Sequence, residues 1–152
     1  MKQLFNLLLA GTVSLCACTG LPAQDVKEHV SKQFTVNAKN AGSVLAIYNI
    51  YGSIQVEGYD GDKVLLEIDQ KISAKSQEDV QIGKQEFKLE MEQQGDSIIV
   101  YIAAPYDSRP RTEWNRNEDR KRIKYKYHLD FVVKVPHSMR LRISTINDGN
   151  IK

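Results

Sequence analysis

Between Tyr125 and Val135 the chain sets an apolar side chain at every second position: Tyr125, Tyr127, Leu129, Phe131, Val133 and Val135. Lys124, Lys126, His128, Asp130 and Lys134 supply most of the other face. A period of two held over this length is the pattern of a β-strand with one dry and one wet side. Burial contributes about 1.5–3 kcal/mol for each such side chain, whereas ordering each residue costs about 1–2 kcal/mol of backbone entropy. Alone the strand breaks even at best, so it must pack on others in one cooperative β domain.

The same period recurs along the chain. Phe34 and Val36 alternate with polar neighbours before a Lys39-Asn40-Ala41-Gly42 turn, and Val64, Leu66 and Ile68 oppose Glu67 and Asp69. Phe87, Leu89 and Met91 face away from Lys88, Glu90 and Glu92. Gln94-Gly95-Asp96 then reverses the chain into Ile98 to Ala103, whose two apolar faces predict a central strand. One helix interrupts the β pattern. Ser76 and Asp79 form a capping box, and Val80 and Ile82 before Gly83 leave room for one or two turns near 76–82.

Leu45 to Val56 is a unit of two short extended segments broken at Gly52, and an abbreviated copy returns from Leu141 to Ile151 with Gly149 at the corner. Gly58 opens the Asp60-Gly61-Asp62 turn that follows the first copy. Leu45, Ile47, Asn49, Gly52, Ile54, Val56 and Gly58, with Val64 after the turn, resemble the entry repeat of a large bacterial family of adhesins without an assigned function. Thr145 stands where that family often has Asn. The resemblance covers roughly residues 34–152 and implies an all-β fold: an antiparallel or mixed β portion leading into a right-handed parallel β-solenoid-like stack. The family supplies no catalytic residues. Because the second copy closes at Ile151, the expectation is the front part of a longer protein, truncated before a capping element; the alternative is a natural, frayed terminus.

Residues 1–24 are set apart as a signal segment, leaving 25–152 as the β-rich domain. Lys2 is the only charge ahead of an apolar run from Leu4 to Cys18, which is of secretory length and short of the roughly 20 residues of a membrane span. Leu15-Cys16-Ala17-Cys18 resembles a bacterial lipobox, making Cys18 the lipidation candidate. Ordinary cleavage after Ala23 is the other route. Both cysteines of the chain fall in this segment, so the mature domain has no disulfide and no cysteine metal site.

Chemical motifs are sparse. His29, His128 and His137 are dispersed, which argues against zinc, and no nucleophile elbow, phosphate loop or dinucleotide fingerprint occurs. Asp60 and Asp62 are read first as turn residues, and only second as a cation or carboxylate pair. No cofactor is implied. The segment from Pro105 to Lys126 is the compositional anomaly: Arg109, Arg111, Arg116, Arg120, Lys121 and Arg122 surround the only tryptophan, Trp114, in a long loop partly neutralised by its own acids. It reads either as a solvated insertion or as a binding loop for anionic glycan, lipid headgroups or another envelope protein. Export and a net charge of +2 over 152 residues argue against nucleic acid.

Three functions follow as expectations. The first is a non-enzymatic, exported cell-envelope protein, a structural or adhesive binding module that touches the membrane only through a lipid on Cys18. The second is an envelope-stress or regulatory protein acting through protein partners. The third, a carbohydrate-active β-helix enzyme, would need two carboxylates converging in a groove.

Overall fold

The computed structural model describes residues 24–37, 42–110 and 122–152. Eight strands and one helix run in the order β1 (Gln24–Thr35), β2 (Val44–Tyr48), β3 (Ile54–Tyr59), β4 (Lys63–Ala74), α1 (Gln77–Glu86), β5 (Lys88–Gln94), β6 (Ser97–Ala104), β7 (Tyr125–Pro136) and β8 (Arg140–Ser144). They form two four-stranded sheets, ordered β1-β4-β7-β3 and β5-β6-β2-β8. Both sheets are mixed: β4 is antiparallel to β1 and to β7, and β3 joins β7 in parallel, while β5 is antiparallel to β6, and β2 is parallel to β6 and β8.

The alternation of β7 is used as its period demands. All six of its apolar side chains are buried, and they share one core with Leu45 and Ile47 of β2, Val64, Leu66 and Ile68 of β4, and Ile98, Val100 and Ile102 of β6. β6 is central, lying between β5 and β2, and the Gln94-Gly95-Asp96 reversal joins β5 to β6 with Gly95 at φ +60°. Among the described residues no helix is long and apolar enough to cross a membrane.

The expected solenoid does not form. Two mixed sheets are present and no stack of coils. A coil needs every unit to touch only its neighbours in parallel, but here the twelve-residue strands β1, β4 and β7 pair antiparallel over most of their length, and a tight hairpin holds β5 to β6. The likeness of the two copies encodes a single parallel pairing instead: Leu45 lies opposite Leu141 and Ile47 opposite Ile143, with isolated bridges from Tyr51 to Asn147 and from Ile54 to Ile151.

Two other expectations change. β1 starts at Gln24, well ahead of Phe34, because it pairs with β4 along its whole length. The helix runs ten residues, past Gly83. Ser76 caps it as expected, accepting from the Asp79 N–H at 3.1 Å, but Gly83 is a contact and not a stop. A Cβ there would fall 2.8 Å from Ile72 and Tyr125, so its bare backbone lets the helix lie on β4 and β7 beside buried Val80.

The corner at Gly52 is the most constrained point in the chain. Gly52 has φ +114°, and a Cβ would sit 2.1 Å from the Leu129 carbonyl oxygen; at Gly149 a Cβ would meet the Gly52 carbonyl oxygen at 1.9 Å. The buried Asn49 amide donates to the carbonyls of Tyr51, Gly52 and Leu129 at 3.1, 3.3 and 3.1 Å, and its Oδ1 accepts from the Ile50 N–H at 2.9 Å. Gly58 is held differently: a Cβ there would meet the His137 ring at 2.6 Å. Removing the Asn49 donor costs the buried Leu129 carbonyl its side-chain partner, while the Tyr51 carbonyl keeps the Leu129 N–H at 2.9 Å and the Gly52 carbonyl keeps the Thr145 hydroxyl at 2.8 Å. Asn49→Ala is expected to lower the unfolding free energy by about 1–3 kcal/mol, and Asn49→Asp by more because a carboxylate cannot donate to a carbonyl, as urea denaturation will measure.

Candidate functional site

The connection between β6 and β7 carries the residues singled out for binding. Its first part folds back on the second sheet: the Ser108 hydroxyl donates to the Tyr48 carbonyl at 2.7 Å and accepts from the Ile102 N–H at 2.8 Å. That places Arg109 with its guanidinium carbon 4.0 Å from the centre of the Tyr101 ring, where it also donates to Asp107 through Nη2 at 2.6 Å. Tyr101 in turn donates its hydroxyl to Glu92 at 2.5 Å, and that hydrogen bond, with desolvation, raises the phenol above its ordinary value. Arg109 is therefore engaged within the molecule, stacked and paired. Arg111, Trp114, Arg116, Arg120 and Lys121 lie outside the described residues, as does Cys18.

Where the connection re-enters the fold, a site assembles that the sequence did not disclose. Arg122 and Lys124, just ahead of β7, and Lys126 within it come together with Lys75, at the turn from β4 into α1, around a groove of about 500 Å³. Strand pairing causes the convergence, because Lys126 lies opposite Ser73 in the β4–β7 register, so the end of one strand meets the start of the other. The groove's one acid, Asp79, accepts from the Ser76 hydroxyl at 2.8 Å. Among the described residues none of the four cations is in an ion pair. Tyr125, between two of these lysines, points the other way into the core, and burial pushes its hydroxyl up to about 12.

The solvent face of the first sheet holds a second cluster. On edge strand β1, His29 sits opposite Asp69; its Nδ1 lies 2.7 Å from Asp69 and its Nε2 2.8 Å from Glu67. Ser31 donates to the other Glu67 oxygen at 2.8 Å. Carboxylates only accept, so this arrangement is complete when both ring nitrogens carry hydrogens, and it favours the imidazolium. The Asp69 and Glu67 hydrogen bonds accordingly raise the His29 pKa from its ordinary 6.5. Two strands away His128 contacts Asp130 at 3.1 Å, which also receives the Ser53 hydroxyl and N–H. Partial burial pushes the Asp130 carboxyl up, but the two Ser53 hydrogen bonds and His128 outweigh it and hold the pKa below the ordinary carboxylate value.

Neither group is a nucleophilic triad. Each serine gives its proton to a carboxylate, and no histidine nitrogen faces a serine oxygen. Among the described residues no three His, Cys, Asp or Glu side chains are arranged to hold a metal ion. Asp60 and Asp62 are exposed on the β3–β4 turn, where the Asp62 carbonyl accepts from Val36 N–H at 2.8 Å. Dispersed in sequence, His29 and His128 nonetheless meet carboxylates: strand register brings His29 to residues 38 and 40 positions away, and His128 and Asp130 share one face of β7 two positions apart.

Compared with protein-family models, with curated proteins and with solved structures, the chain matches none.

The His29 clasp gives a pH dependence with a definite sign. Its folded pKa is raised, so its contribution to stability is complete below the unfolded value of 6.5 and is lost as pH rises through the folded value. The melting temperature of the wild type should therefore fall relative to that of His29→Gln between about pH 6 and pH 9. Parallel melting curves across that range would refute the clasp.

Proposed function

We propose that this protein is a non-enzymatic, exported component of the bacterial cell envelope, anchored by lipid on Cys18, whose basic groove rests against anionic lipid headgroups. The observation that carries the reading is the register of β1 on β4. Gln24, the first residue of β1, lies opposite Ala74, and Ser73, Ala74 and Lys75 line the groove. Cys18 precedes Gln24 by six residues, a reach of at most roughly 20 Å when extended.

An anchor at Cys18 therefore enters the fold beside Lys75, Arg122, Lys124 and Lys126. Lipid attachment combined with a basic patch is the pairing of signals that makes membrane association stable. Lysines suit the task, since an ammonium is a point charge that accepts phosphate from many directions, and Arg122 adds a bidentate donor. The adhesin-like resemblance of residues 45–64 supports a binding role, although the solenoid it implied is absent. A regulatory protein acting through partners remains the second reading, favoured by exposed Leu141, Ile146 and Ile151.

Vesicle binding tests the groove apart from the anchor. Cys18→Ser protein should sediment with phosphatidylglycerol vesicles and not with phosphatidylcholine vesicles, and added salt should release it. Each basic residue near an anionic surface contributes about 1 kcal/mol, so replacing Lys75, Lys124 and Lys126 by Gln should weaken binding roughly a hundredfold. Equal binding of the triple variant to anionic vesicles would refute the reading.

A further inference from the structure

Both edge strands of the second sheet are open among the described residues: β5 pairs only with β6, and β8 only with β2. The charged side chains they carry on the same, outer face have opposite sign, Glu92 being half-buried and the others exposed. Glu90 lies opposite Tyr101 and Glu92 opposite Ile99, while Arg140 lies opposite Val44 and Arg142 opposite Ala46. Tracing the rows across the sheet, Glu92, Ile99, Ala46 and Arg142 stand in one line from edge to edge. One edge is acidic and the other basic, with an apolar strip between them.

We propose that the β8 edge of one molecule receives the β5 edge of a second copy, so that the sheet continues from molecule to molecule. β5 runs antiparallel to β6, and β8 runs parallel to β2 and β6, so the two edges meet as an antiparallel pair. A single register satisfies both faces. With Arg142 opposite Glu90 of the next copy, Arg140 falls opposite Glu92, and on the inner face Leu141 and Ile143 fall opposite Met91 and Leu89. Leu141 is 48% exposed in the single chain, and this pairing covers it.

The same charges forbid the symmetric alternatives. Two β8 edges paired about Arg142 would set that arginine against itself, and two β5 edges would oppose their glutamates, so repulsion selects the unlike pair. Contact between different patches on each molecule is head-to-tail, and it extends as an open row unless the rotation closes a ring.

Sedimentation velocity of the purified protein over a concentration series at low salt reads the outcome. Wild type should grow in mass with concentration. Arg142→Glu and Glu90→Lys, both at exposed positions, should each weaken association roughly tenfold or more. Mixing the two variants should restore association, because each then offers the sign that the other lacks. A wild type that stays monomeric throughout, or single variants that associate as well as wild type, would overturn the proposal. Circular dichroism of each variant confirms that the sheets are intact.

Discussion

One buried side-chain amide joins the layers of this protein. Asn49 Nδ2 is shared among the carbonyls of Tyr51, Gly52 and Leu129, at the corner where the chain leaves β2 in one sheet for β3 in the other. In the β2–β8 register Thr145 continues to the position equivalent to Asn49, and its hydroxyl donates to the same Gly52 carbonyl at 2.8 Å. The two donors, at equivalent register positions of paired strands, therefore converge on the Gly52 carbonyl, and Asn49 serves the Leu129 carbonyl as well, so that neither oxygen is orphaned in the interior.

The glycines follow from that arrangement. Segments packed at β-strand spacing bring the carbonyl of one to where a side chain of the next would begin, which is why Gly149 lies over the Gly52 oxygen and Gly52 over that of Leu129 in the middle of β7. Gly52 carries the further requirement of a positive φ. This much was legible in the sequence, because the repeat of apolar pairs, polar residue and glycine records both the direction of pairing and its register. The alternation of β7, the β5–β6 hairpin and the Ser76 cap were legible for the same reason: each depends on contacts within a few residues or on one uniform period.

What was not legible came from pairings across long separations. Nothing between Gln24 and Gln33 marks a strand by apolar alternation alone, since Glu28 and Lys32 occupy positions whose register partners on β4 are Gln70 and Leu66; β1 exists because β4 offers it a template. The solenoid expectation failed for a related reason. Two similar corners establish one parallel contact, but the length and direction of β1, β4 and β5 decide the sheets. The groove was hidden in the same way, because Lys75 belongs to a turn remote in sequence from the basic segment, and only the β4–β7 register unites them. The loop reads as basic in composition even though its acids offset part of the charge, yet its described ends behave differently: Arg109 is consumed by Tyr101 and Asp107, and Arg122 is not.

The edges of the two sheets show how charge is apportioned. An open edge exposes unpaired backbone groups and invites further strands unless charge blunts it. β1 is so protected: Asp25 pairs with Lys71 at 2.8 Å, Glu28 lies near Lys84 at 3.8 Å, and His29 bridges two carboxylates of β4. Asp25, Glu28 and His29 thus find their counter-charges within the molecule, on β4 and α1. On β8 the arrangement differs, for Arg140 and Arg142 have no ion-pair partner among the described residues, and Leu141 between them stays half exposed. A pair of unsatisfied cations flanking an exposed leucine deters like edges and attracts acidic ones. Protection at β1 and selectivity at β8 thus use the same residue types and differ only in whether the counter-charge is supplied from within.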